Sequence, residues 1–179
     1  MSALATDLRA RLEAHEPPEA RGDASRDDVR LMVSSRPDGS IVHGRFRDLP
    51  QFLTPGDLVV VNTSATLPAA VAATRADGER LELRLSTPAR DQDHERFWIV
   101  ELRRGDAPFG GVAVDEQFEL PAGGTARILA PYAGVRLWLA HLDLPLPLAA
   151  YLEEHGQPIR YGYVPRRWPL SAAQHVYAV

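Results

Sequence analysis

The chain has no cysteine and no lysine, so all 20 of its basic residues are arginine. The first absence excludes disulfide frameworks, thiolate zinc sites and cysteine nucleophiles. The second excludes Schiff-base chemistry and lysine general bases. The six histidines form no HxH or HExxH pair, and there is no GxSxG, P-loop or GxGxxG. Metal, serine-hydrolase and nucleotide-loop readings therefore find no support. No run approaches the roughly 20 apolar residues of a membrane span. The amino-terminal segment carries Asp7, Glu13 and Glu16 without the apolar core of a signal peptide, so a cytoplasmic address is expected. The net charge of −4 is not that of a dedicated nucleic-acid binder, whose basic surplus usually shows. Arg160, Arg166 and Arg167 form a local basic patch that reads either as a solvated face or as a phosphate contact.

What remains is an ordinary globular composition, 45% hydrophobic and 25% charged over 179 residues, enough for one domain or two small ones. Leu4, Leu8 and Leu12 recur every fourth residue and predict an amphipathic helix over 2–16, stopped by Pro17 and Pro18. The apolar runs 31–33 and 41–43 flank Arg36-Pro37-Asp38-Gly39 and predict a hairpin. A short helical turn is expected over 49–53. The apolar run 58–61 then predicts a buried strand, with Asn62, Thr63, Ser64 and Thr66 at its carboxyl end. Polar groups in that place suit a ligand pocket in an open α/β sheet. They suit an Asx-turn equally well.

From Ala69 the texture changes. Leu81, Leu83 and Leu85 alternate with Arg80, Glu82 and Arg84, after an Asp77-Gly78 turn signal. Further strands are predicted over 97–102, 112–120, 125–130 and 135–142. Short strands so punctuated close most simply into a small barrel, placed here at 69–142. A helix over 148–155 then ends at Gly156, read as a glycine cap before Pro158. The sequence stops in an apolar stretch, which is unusual for a complete domain. His43 falls on a predicted strand near two arginines and reads as a structural or a catalytic histidine. Asp57 reads as a turn residue.

Arg26-Asp27-Asp28-Val29-Arg30-Leu31-Met32-Val33, then His43, Phe46 and Asp48-Leu49, then GDLVVVN through Leu67-Pro68-Ala69, follow one another in a distinctive order. Pro145-Leu146-Pro147, Tyr151 and the closing Gln174, Val176, Tyr177 and Ala178 continue the pattern. Together they resemble the amino-terminal half of the S-adenosylmethionine:tRNA ribosyltransferase-isomerases of queuosine biosynthesis. The resemblance implies an α/β domain, incomplete here, formed by residues 1–68 and 143–179 and interrupted by the small antiparallel β-barrel. It implies S-adenosylmethionine as co-substrate, no metal, and tRNA as partner. The ribosyl group would pass to a 7-deazaguanine in the anticodon and rearrange, with adenine and methionine leaving. A general base would start that reaction and fixed donors would steady its charge. By resemblance, Arg26, Arg30, His43, Asp48, Asn62, Thr63 and Ser64 would bind substrate, and the catalytic base is not assigned.

The chain also departs from the family pattern. Thr63 stands where an aspartate is expected, Ala65 and Ala70 where arginines are, Val29 for a serine and His175 for a threonine. An arginine-dependent site is not left unchanged by such losses. Later family segments, including a PTAGLHF-like motif, are absent from these residues. The expectation is activity in a longer form and none in the 179 residues alone. The alternative is a catalytically silent ligand- or RNA-binding paralogue or fragment.

Overall fold

The computed structural model describes residues 14–21, 25–134, 136–175 and 177. Most of the helix expected over 2–16 thus lies outside the described residues, as do three of the last four positions. The chain divides into two compact units. One comprises Met1–Ser64 with Tyr163–Pro165 and His175–Val179; the other comprises Ala65–Gly162 with Arg166–Gln174.

In the first unit, β1 (Arg30–Ser34) pairs antiparallel with β2 (Ile41–Arg45), as the turn chemistry predicts. Gly39 takes the left-handed φ of +68° that the tight reversal needs. The Asp38 carboxylate is held down to about 2, first by the Ser35 hydroxyl and then by the backbone and hydroxyl of Ser40. A 3-10 turn follows at Phe46–Phe52, longer than the expected 49–53.

The strand expected at 58–61 is not formed. Leu58 is 88% exposed and Val60 84%, and neither belongs to a ladder. An apolar run becomes a strand when a neighbouring strand accepts from its N–H groups and donates to its C=O groups. In this unit the described sheet is the two-stranded hairpin, which offers it no partner.

The second unit holds the barrel. Its strands are β3 (Ala70–Arg75), β4 (Arg80–Pro88), β5 (Phe97–Arg104), a two-residue β6 (Ala107–Pro108), β7 (Gln117–Glu119), β8 (Thr125–Ala133) and β9 (Leu137–Asp143). The order β4-β3-β7-β8-β9-β5 closes where β5 pairs with β4, giving six antiparallel strands without a free edge. Closure requires local bending. Irregularities between Leu85 and Thr87, Ile128 and Ala130, and Pro131 and Ala133 supply it.

Alternation decides what faces inward. Leu81, Leu83 and Leu85 of β4, Trp98, Val100 and Leu102 of β5, and Trp138, Ala140 and Leu142 of β9 share one core with Phe118 and Ile128. Each such large side chain contributes roughly 1.5–3 kcal/mol through burial. The strand expected over 112–120 shrinks to β7. Asp115 adopts a left-handed φ of 64°, and Glu116 turns its carboxylate back to the Ala113 N–H at 2.9 Å. A turn therefore fills the first half of that apolar run.

Helix α1 (Leu148–His155) has the bounds read from sequence and adds Leu148, Tyr151 and Leu152 to the barrel core. Its first N–H, from Leu148, donates to the Glu95 carboxylate at 2.8 Å, a charged cap on the positive end of the helix. Gly156 has an ordinary φ of −81°, so it is not a left-handed cap. It is there because a Cβ would collide with the backbone oxygens of Pro68 and Leu152. A second helix, α2 (Leu170–Ala173), is a single turn.

Candidate functional site

The hairpin register determines which sequence-predicted residues of the first unit meet. Arg30 faces Arg45 and Met32 faces His43, so Arg30, His43 and Arg45 project from the same, exposed face. Two arginines directly opposite repel each other. Arg45 relieves part of this by donating to the Asp28 carbonyl at 2.6 Å. Arg30 has no ion-pair partner among the described residues. This face suits an anion.

The other candidates are bound into local structure. Arg26 pairs with Glu19. Asp48 accepts the Arg45 N–H at 2.8 Å, reaching back across the start of the 3-10 turn. Asn62 accepts the Ser64 N–H through Oδ1 at 2.9 Å, so the polar run beyond residue 61 is an Asx-turn. Thr63 is exposed on that turn. Asp57 binds the Thr54 N–H at 2.7 Å, the turn role expected of it.

His175 is a feature that sequence reasoning passed over except as a replacement for threonine. Its Nε2 lies 2.8 Å from the Ser64 carbonyl oxygen. A carbonyl cannot donate, so Nε2 is the donor in this bond. Nδ1 is enclosed and has no hydrogen-bond partner among the described residues. Such an atom is open to a hydrogen bond with a ligand. Its signal is present in the sequence, since this motif position carries a histidine in place of a threonine.

The second unit contains a groove of about 780 Å³ lined by Thr66, Pro68, Glu153, Arg167, Trp168 and Gln174, among others. That volume is in the range of small-molecule sites. The Gln174 amide fixes its rim. It accepts the Thr66 N–H at 2.7 Å and donates to the Thr66 carbonyl at 2.8 Å, imitating a strand partner. Arg166 stacks 3.9 Å from the Trp168 ring centroid. None of the seven sequence-predicted residues lines this groove. Among the described residues no three His, Asp or Glu side chains come together as a metal cage.

A family model described as "Queuosine biosynthesis protein" matches residues 1–179. The chain belongs to that family. Its relatives in the queuosine biosynthesis family include the S-adenosylmethionine:tRNA ribosyltransferase-isomerase of Thermus thermophilus, 32% identical over 92% of this chain and 48% of the relative. The enzyme of the same name from Syntrophus aciditrophicus is 29% identical over 80% of this chain and 42% of its own length. A crystal structure of S-adenosylmethionine tRNA ribosyltransferase from Thermotoga maritima matches 84% of this chain and 47% of that one, at 27% identity and a TM-score of 0.39. The chain thus spans about half the length of the curated relatives it matches. The family assignment and the closed barrel both agree with the reading made from sequence. No helix among the described residues is long and apolar enough to cross a membrane.

Proposed function

We propose that this protein takes part in S-adenosylmethionine-dependent transfer and isomerisation of a ribosyl group onto a 7-deazaguanine in tRNA. The observation that carries this reading is the family match across all residues 1–179. S-adenosylmethionine is the co-substrate, tRNA the macromolecular partner and the cytoplasm the location. Residues 1–68 and 143–179 contribute to an α/β domain, with 69–142 inserted as the barrel.

In this reading the face that carries Arg30, His43 and Arg45 meets an anionic group of substrate. Arg26, Asp48, Asn62, Thr63 and Ser64 shape the segment around it. His175 Nδ1, enclosed and without a partner among the described residues, is this chain's own candidate for a contact with substrate. The 179 residues cover half the family's length, and by themselves they bind ligand without turnover.

A second reading, a silent ligand- or RNA-binding paralogue, draws on one observation. Ala70, where the family pattern has arginine, is 1% exposed and exchanges backbone hydrogen bonds with Gln157, at 3.0 and 2.8 Å. Its surroundings are closed around a methyl group. The deciding assay is adenine release from S-adenosylmethionine in the presence of tRNA bearing the aminomethyl-7-deazaguanine. Release by the full gene product, abolished without tRNA, supports the transferase. S-adenosylmethionine binding with no adenine release from the full gene product overturns it in favour of the silent paralogue.

A further inference from the structure

The outer wall of the barrel carries charge where one expects surface, yet much of it is buried. The register of β4 and β5 sets Glu82 opposite Arg103 and Arg84 opposite Glu101. Both arginines and Glu101 are less than 10% exposed. Arg84 donates to Glu82 at 2.6 Å, and Arg103 to Glu101 at 2.8 Å. Each carboxylate takes a second guanidinium. Arg136 bonds Glu101 at 2.9 and 3.3 Å, and Arg167 bonds Glu82. Four guanidinium groups therefore surround two carboxylates, a local surplus of two positive charges on a chain whose net charge is −4.

Burial weakens the solvation of that surplus, and the carboxylates do not cancel it. Arg103 Nε is buried without a hydrogen-bond partner among the described residues. Two hollows open over this row. One, of about 360 Å³, is lined by Arg84, Glu101, Arg103, Arg136 and Tyr161, among others. Its neighbour, of about 180 Å³, includes Arg80, Glu82, Arg84, Arg103, Arg160 and Arg167 in its lining. Arg84 and Arg103 belong to both.

We propose that this wall is an RNA-binding surface that takes consecutive phosphodiester groups, one in each hollow. Planar guanidinium forks match phosphate oxygens in bidentate pairs. Two adjoining hollows sharing two arginines fit a chain of anions better than a single one. Tyr161, an exposed residue, lines the larger hollow. The inference rests on tRNA being the partner, and it locates on the barrel the phosphate contacts that position the RNA, distinct from any contact that reads a base.

The test measures binding of an unmodified tRNA transcript to the full gene product as salt is varied. The proteins are wild type, Arg80→Gln/Arg136→Gln and the control Arg127→Gln. Arg80 and Arg136 are exposed positions beside the hollows, and Arg127 is exposed on β8. Removing one arginine–phosphate pair lowers the slope of log affinity against log salt by about one. The double variant should lose about two units of slope while Arg127→Gln loses none. An unchanged slope in the folded double variant, or an equal loss in the control, overturns the proposal. So does stabilisation of the wild type by inorganic phosphate when its tRNA slope does not differ from that of the double variant, which would mark a small-anion site instead. If adenine release persists while the slopes do not differ, this inference fails and the proposed reaction stands. A wild type that neither binds tRNA nor releases adenine removes both.

Discussion

The two units differ in how each disposes of its apolar residues. In the barrel unit, leucines and aromatics from six strands and α1 meet in one closed core, and each of those six strands has two neighbours. In the amino-terminal unit, Met32, Ile41 and Val42 of the hairpin and all of 58–61 lie exposed. The sequence texture of the run 58–61 is no less apolar than that of β4. What separates them is the availability of hydrogen-bonding partners, because an apolar run without a neighbouring strand has nowhere to place its backbone groups. The comparison assigns stability to the barrel and leaves the amino-terminal unit to be shaped by turns and caps.

The sharpest way to break that contrast is a pair of truncations. Leu83→Ala removes a fully buried side chain from the barrel core and should destabilise the protein by about 3 kcal/mol. Met32→Ala, at a position 62% exposed on the hairpin, should stay within about 0.5 kcal/mol of wild type. Denaturant unfolding followed by tryptophan fluorescence reports both. Similar losses from the two substitutions would mean that the hairpin shares the core's cooperativity.

Next in size is the charged wall, where pH separates the barrel from the rest. Burial raises the pKa of Glu101, but hydrogen bonds from Arg136 and Arg103 outweigh it and hold the carboxyl below its ordinary 4.5. A depressed carboxyl stabilises the fold above its unfolded value and loses that contribution as pH falls through the lower, folded value. The thermal midpoint should therefore drop as pH falls below 4.5. Glu101→Gln should lower stability by about 3 kcal/mol at neutral pH and flatten part of that acid limb. An acid limb identical in the two proteins would show that the pair does not govern it.

How far these features were legible follows the same physics. The hairpin, α1 and the alternation of β4 are local signals, carried by turn residues, a four-residue period and a two-residue period. Their bounds in the sequence lie close to those observed. The number and spacing of strands predict the barrel's closure, yet β3 leaves no sequence signal because Ala70, Ala72 and Ala73 give no apolar alternation. The helix cap from Glu95 joins residues 53 positions apart and leaves no local trace. For the candidate site, the Asx-turn at Asn62 was one of two open readings, since a side chain that bonds its own backbone looks in sequence like one that bonds a ligand. The His175 ring is held through Nε2 by the Ser64 carbonyl, 111 residues away. Only folding brings those two together.

A smaller effect is expected where α1 meets the barrel. The Tyr151 hydroxyl donates to the Pro121 carbonyl at 2.8 Å, and burial pushes its pKa from 10 up to about 12. Tyr151→Phe should cost about 1 kcal/mol, the net value of one such bond. A raised phenol stabilises the fold fully below its unfolded value and loses that contribution as pH rises through the folded one. The wild type should accordingly lose stability between pH 10 and 12 by an increment missing from Tyr151→Phe. Alkaline melting curves of the two proteins that differ by a constant offset would place the hydroxyl outside the barrel's ionisation balance.

The smallest expected effect tests the amino-terminal side of the comparison. Val60 is 84% exposed, so Val60→Ser removes no buried area and should leave the unfolding midpoint of the 179-residue chain unchanged. The same change in a strand buried on both faces would remove two methyl groups from the core, place a hydroxyl there without a partner, and lower stability by several kcal/mol. The substitution therefore reports directly on whether 58–61 has found a neighbouring strand in the protein being measured. Paired with hydrogen exchange at the amides of Val59, Val60 and Val61, it gives two independent readings. Fast exchange and an unmoved midpoint fit an exposed, unpaired segment. Slow exchange with a large loss would mean that the sequence was right about the strand and that its partner lies beyond the hairpin.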